Sequence, residues 1–343
     1  MDDQRSFSRL KLAGFAALLA VLAAAAWAFS GYQLFRFSLI AVYAIAMLGL
    51  DILTGRTGPL SLGHGAFYAI GAYTSAILIY RTGCPYALTL PAAGLVAGAF
   101  GFLIGIPSLR LAGIYLALAT FALAAAIGQL LKKLSWLTGG VQGIKVKRPT
   151  VPFDLGISVD QWLYLLTVLV TIIMFVLGWN MMRGRLGRAF LAIKQSDLAA
   201  AASGINVAAY KTLSFGISAF YAGVAGGLLA ILVGFVAPDM FDFFLSVSFL
   251  AGIMIGGLGT VSGSLIGAGF VVLLPDYAQK VSQSLPWAVY GAVLMFVIIV
   301  MPSGVVGTLR RVFHRMKSGR SLEMKKQGIY ASGKREEQDD VSP

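Results

Sequence analysis

Residues 212–236 read TLSFGISAFYAGVAGGLLAILVGFV, a run of apolar and small residues with no charged side chain. About 20 such residues in a helix cross the hydrocarbon core of a bilayer. A strand of a membrane barrel would be half as long and would alternate apolar with polar positions, which this run does not. Nine further stretches are likewise predominantly apolar, at 10–30, 33–53, 60–80, 86–106, 111–131, 161–182, 243–258, 261–281 and 286–303. The first follows Arg5, Arg9 and Lys11 in the manner of a secretory signal, but its length and the spans behind it favour a retained helix. The expected fold is an all-α polytopic membrane protein of about ten transmembrane helices.

Composition agrees. Of 343 residues, 58% are hydrophobic and 12% charged, against roughly 25% charged in soluble domains. The net charge of +13 would suggest nucleic acid in a soluble protein. Here the basic residues sit at the ends of apolar runs, as membrane orientation requires. With the N-terminus inside, 19 of the 27 Lys and Arg fall on the inner side, so both termini are expected in the cytoplasm. The outer loop 132–160 runs against this trend, with Lys132, Lys133, Lys145, Lys147 and Arg148. Residues 1–308 form the expected transmembrane domain, with a polar loop at 183–211, and 309–343 an exposed, basic, disordered cytoplasmic tail.

Glycine contributes 41 residues, many of them four apart: Gly94/Gly98, Gly101/Gly105, Gly223/Gly227, Gly252/Gly256 and Gly263/Gly267. Small residues at that spacing let helices approach closely in lipid, and kinked helices along a path are the sharper reading.

Catalytic groups are scarce. The two histidines are His64 and His314, and the single cysteine, Cys84, excludes an internal disulfide or a Cys-based metal cluster. The stretch Gly328–Lys334 has phosphate-loop spacing, but Arg335 stands where Ser or Thr would hold magnesium, and no strand precedes it. Asp51 and Asp276 are the two acids within or close to spans, each read as solvated at the interface or locally paired. No cofactor is expected on this chain. It reads as a translocation pathway without its own energy source: a permease driven by partner subunits, or a stand-alone channel or ion-coupled carrier.

The loop 183–211 separates these readings. RGRLGRAFLAIKQ mixes Arg with apolar residues at helical spacing. DLAAAASGIN then leads from Asp197 through small residues to Gly204, a helix-ending position. A short, small-faced helix between Arg-rich flanks suits docking into a groove on another protein; the plainer reading is an amphipathic helix on the membrane surface.

This loop resembles the coupling segment of ATP-driven (ABC) importer permeases. Gly187-Arg188-Ala189, Ala192-Ile193, Asp197, Ala199-Ala200, Gly204-Ile205-Asn206 and Tyr210-Lys211 are similar to the LivM-like permeases of branched-chain amino acid importers. Other motifs follow in family order: LSLGHGAFYAIGAYTSA at 60–76, Leu109-Arg110-Leu111 with Tyr115-Leu116-Ala117, Thr138-Gly139-Gly140 with Gly143, Gly256–Thr260 with Gly263, and Pro302-Ser303-Gly304. Ala201 stands where many members carry an acid, and Lys194-Gln195-Ser196 replaces a more acidic run, so the implied docking site is less charged.

The resemblance implies an inner-membrane subunit that moves branched-chain amino acids. Its implied partners are a second permease subunit, two cytoplasmic ATPases and a periplasmic amino-acid-binding protein. Urea, short amides or other amino acids are the alternative cargo. Arg188, Asp197, Ala200, Gly204, Ile205 and Asn206 are the implied ATPase contacts. Pathway candidates are Gly63, His64, Gly65, Tyr68 and Tyr73 in the stretch GPLSLGHGAFYAIGAY, together with Gly257 and Gly259. An imidazole in lipid is costly, so His64 should face protein or water. A neutral ring bonded to a neighbouring helix and a place beside the path are its two readings.

Overall fold

The computed structural model describes residues 24–111, 113–149, 151, 156–281, 285–301, 304–309 and 311. Most of the first apolar stretch, Pro302-Ser303, His314, the phosphate-loop decoy and nearly all of the tail lie outside the described residues. The remaining nine apolar stretches each coincide with a helix.

The helix α1 (Gly31–Leu50) runs without a break into a π-helical turn, Asp51–Thr57. Next come α2 (His64–Thr82), α3 (Tyr86–Ser108), α4 (Ile114–Lys133) and a single turn, α5 (Ser135–Thr138). The helix α6 (Val159–Arg183) leads to two short helices, α7 (Arg185–Gln195) and α8 (Asp197–Ala202). The bundle closes with α9 (Val207–Val233), α10 (Phe243–Gly256), α11 (Val261–Val281) and α12 (Pro286–Val300). Among the described residues, seven helices are long and apolar enough to cross a membrane. The helix α2 is not one of these, because His64, three tyrosines and three hydroxyl residues dilute it. It is sheltered instead by α9, α3 and α4.

The bundle has a centre and a sheath. In α1 with its π turn, and again in α9, 78% of the most apolar window is buried; in the other five spans the share is 22–39%. The outer helices turn Leu95, Phe100, Leu103, Leu118, Leu169 and Leu177 outward. Such a continuous apolar exterior is a surface for lipid or another membrane subunit rather than water.

Glycine makes the centre possible. A side chain at Gly71 would strike the Gly223 backbone, and one at Gly226 the carbonyl of Tyr68, so α2 and α9 touch backbone to backbone. Gly94, Gly98, Gly101 and Gly105 form a strip of α3 against Phe220, Ala219, Phe215 and Thr212 of α9. Gly252 faces Gly267, and Gly256 faces Gly263, across α10 and α11. The glycines spaced by four thus serve close packing.

Two departures from the expected spans have clear causes. Span 60–80 begins only at His64, since Gly58–Gly63 is irregular chain carrying Pro59. Side chains of the bundle bond part of its backbone. Thr54 donates to Pro59 O at 3.0 Å, and Leu62 N donates to Thr120 Oγ1 at 2.9 Å. Second, the described part of the loop 132–160 is built rather than loose. Ile144–Lys145 pairs antiparallel with Phe235–Val236, a small exception to the all-α expectation. Thr138 Oγ1 donates to Leu131 O at 2.7 Å and accepts from Gly140 N at 3.2 Å, which accounts for Thr138-Gly139-Gly140. The basic excess of this loop is partly engaged: Lys132 pairs with Asp239 at 2.7 Å, and Arg148 donates to Val233 O at 3.4 Å.

Candidate functional site

The helices α7 and α8 lie between α6 and α9, outside the long spans. Apolar spacing along α7 buries Ala189, Phe190 and Ile193 and leaves Arg188 exposed. Gly187 is forced by contact, since a side chain there would strike the Met182 carbonyl. Ser196 starts α8, its Oγ accepting from Ala199 N at 3.2 Å. Gly204, at φ 82°, ends the segment in the left-handed region where glycine is at ease. Ile205 N then closes back onto Ala200 O at 3.1 Å.

The six implied contacts divide by exposure. Arg188, Asp197, Gly204 and Asn206 are exposed, Ile205 is half-buried and Ala200 is buried. Asp197 is paired with Lys211 at 2.5 Å. Asn206 accepts from Ala209 N at 3.0 Å and starts α9. Ala200 packs inward and Asn206 caps a helix, so both also shape the segment. Leu198 was missed. It is 84% exposed, the most exposed large apolar side chain described, on a helix otherwise made of alanines behind Asp197. A lone leucine in a run of alanines was the available signal. Beside this segment, a cleft of about 540 Å³ is lined by Thr57, Pro59, Ser108, Lys194, Asp197 and Lys211.

The pathway candidates fall into two groups. His64 is buried, and its Nε2 donates to Ala46 O at 2.7 Å, which leaves Nδ1 facing Ser218 Oγ at 3.5 Å as acceptor. Gly65 N donates to Ser246 Oγ at 2.9 Å, and a side chain at Gly63 would meet Thr120 O at 2.8 Å. Tyr68 and Tyr73 lie further along α2, their rings against Phe241 at 5.9 and 6.0 Å; Tyr68 also meets Tyr43 and Phe249. Both phenol oxygens are buried without a hydrogen-bond partner among the described residues.

Gly257 and Gly259 are elsewhere, in the turn between α10 and α11, with φ 118° and 79°. Thr260 Oγ1 donates to Gly257 O at 2.7 Å, and Gly304 sits close against Gly257. Asp51 reaches this turn: its Oδ1 accepts from Gly259 N at 2.6 Å, and the residue is 1% exposed. Its expected solvation at the interface is therefore corrected to burial against a backbone amide. Asp276 is locally paired, with Arg36 at 2.5 Å. Among the described residues, no group of three or more His, Cys, Asp or Glu side chains could hold a metal.

Residues 32–301 match the family described as the branched-chain amino acid transport system / permease component. The chain belongs to this family. The permease is 33% identical over 304 residues to the high-affinity branched-chain amino acid transport system permease protein LivM of Salmonella typhimurium, covering 82% of the permease and 71% of that relative. It is likewise 33% identical over 297 residues to the Escherichia coli LivM protein, covering 80% and 69%. Similarity extends to the LivH protein of the same Salmonella transport system, at 26% over 289 residues, covering 77% of the permease and 91% of LivH. The permease is thus a multi-pass membrane protein of a transport family whose named members include two permease types.

Proposed function

We propose that the permease is the LivM-like membrane subunit of an ATP-driven importer that carries leucine, isoleucine and valine across the bacterial inner membrane. The observation that carries this reading is the family match along residues 32–301. The relatives' named cargo and the pairing of LivM with LivH types extend it to substrate and to a second permease subunit. The chain has ten spans, both termini cytoplasmic and the 183–211 segment on the cytoplasmic side. Two ATPase subunits grip α7 and α8, with Leu198 at the centre of the contact and Arg188, Asp197 and Gly204 around it. A binding protein delivers the amino acid from outside. ATP is consumed by the partners, and this chain binds no cofactor.

The geometry supplies what such a subunit needs. The segment α7–α8 offers an exposed apolar anchor with charged neighbours, a common pattern of protein contact. The rings around Tyr68 and Tyr73, with their two free hydroxyls, suit a small solute with an apolar side chain and polar ends. Alternating access then follows from movement of the helices that α7 and α8 hold. The test is uptake of labelled leucine and of labelled urea by membrane vesicles carrying the full complex and supplied with ATP. Leucine accumulates and urea does not; urea uptake without leucine uptake would sink the assignment of cargo.

A further inference from the structure

The coupling segment touches the bundle at a point the chain's connectivity does not require. Lys194, on the last turn of α7, donates from Nζ to Gly55 O at 2.6 Å. Gly55 lies in the π-helical turn that continues α1. There the bonds skip to the fifth residue: Gly58 N to Leu53 O at 3.1 Å, and Thr57 Oγ1 to Ile52 O at 3.1 Å. Turns of this kind are rare and cluster at functional sites.

The inner side of the same turn holds Asp51. Its Oδ1 takes the amide hydrogen of Gly259, in the glycine turn that joins α10 to α11. Gly55 sits between the two contacts. A side chain there would run into Asp51 Oδ1 and would lie 2.6 Å from Gly259 N, so only glycine lets all three groups meet. Gly257 of the same glycine turn is packed against Gly304, beyond α12. One continuous set of contacts thus leads from α7, through the π turn, to the turn between α10 and α11.

The energetics argue against a purely structural role. Burying a carboxylate costs several kcal/mol unless its oxygens are well paired. Here Oδ2 of Asp51 and Nε of Arg56 are both buried without a hydrogen-bond partner among the described residues. A partly satisfied buried polar group is also one that can exchange partners when its surroundings move.

We propose that the turn Asp51–Thr57 is a positioning relay, in which Lys194, the Gly55 carbonyl and Asp51 transmit movement of α7 to the glycine turn at Gly257–Gly259. This rests on the ATPase-coupled reading above. Asp51 and Lys194 are positioning residues that link hydrolysis to the motion of α10 and α11, without touching substrate.

The test uses the complete complex in proteoliposomes, with the ATPases, the second permease and the binding protein. Leucine uptake and ATP hydrolysis are measured together. Asp51→Leu and Lys194→Met each lower leucine moved per ATP hydrolysed by roughly fivefold or more, while hydrolysis persists. The double variant is no worse than the poorer single one, because both act on one chain of contacts. Asp51→Asn, which keeps an acceptor for Gly259 N, stays within roughly twofold of the unaltered ratio. Lys194→Met alters no residue of the bundle interior and carries the test if Asp51→Leu fails to assemble. Unchanged uptake per ATP in Lys194→Met, or independent losses that multiply in the double variant, would overturn the relay alone. An unaltered complex that hydrolyses ATP but moves no leucine would overturn the importer reading and the relay with it.

Discussion

His64 shows how a single polar residue is reconciled with a membrane bundle. Its ring is buried between α1 and α9, with one nitrogen donating to Ala46 O and the other facing Ser218. His64→Leu removes a buried hydrogen bond and leaves Ser218 facing a methyl group. The expected cost is about 1–3 kcal/mol, read as a lower melting temperature of the purified permease pair. His64→Gln, which keeps a donor, recovers part of that loss; identical melting of all three proteins would show that the bond contributes nothing. Gly226 is under a different constraint. A side chain there strikes the Tyr68 carbonyl, so Gly226→Val should cost about 1–3 kcal/mol or more in overpacking, seen as poor yield and early melting. The sequence marked His64 as a residue that must face protein or water, because the cost of imidazole in lipid is general. It could not tell that the carbonyl of Ala46, 18 residues away, would accept the hydrogen bond.

The short helices α7 and α8 decide the reading at the scale of elements. Leu198 has no burial to lose, so Leu198→Arg should leave the permease's own stability within about 0.5 kcal/mol. Retention of the ATPase subunits on the purified complex should fall by roughly tenfold or more. Normal retention would place the docking surface elsewhere. Asp197→Asn breaks an exposed pair with Lys211 and should cost under about 1 kcal/mol of stability. Much of this element was legible. Asp197 and Gly204 are start and stop signals that act within one turn of chain, and α8 begins at the one and ends just before the other; the Ser196 cap emerged only from the structure. Leu198 stood out as the lone leucine among alanines, but its exposure was not legible, since an alanine-rich helix has no strong apolar face from which its orientation could be read. The irregular chain before His64 was half legible: Pro59 and the glycines signalled it, but its partner Thr120 lies in another helix.

The molecule as a whole places two helices at the centre and the others around them. The proposed orientation puts Leu198 inside and Trp136 outside, and both are exposed. With Cys84 replaced by Ser, a single cysteine at Trp136 should react in intact cells with a membrane-impermeant thiol reagent. A single cysteine at Leu198 should react only after the inner face is opened. The reverse pattern would invert the topology. Arrangement in space engages part of the basic loop 132–160, where Lys132 and Arg148 are held by groups near the far end of α9 and in the loop after it.

The sequence by itself determined the all-helical, multi-pass membrane class, the small-residue packing code and the family. These rest on local composition: lipid demands apolar length, close helices demand glycine, and motifs lie along the chain. Only the tertiary structure decided that the polar α2 is sheltered by neighbours, that Leu198 points to solvent, and that Asp51 meets an amide 208 residues away. Those outcomes depend on which helices become neighbours. That choice is made by the mutual fit of many side chains, and no single stretch contains it.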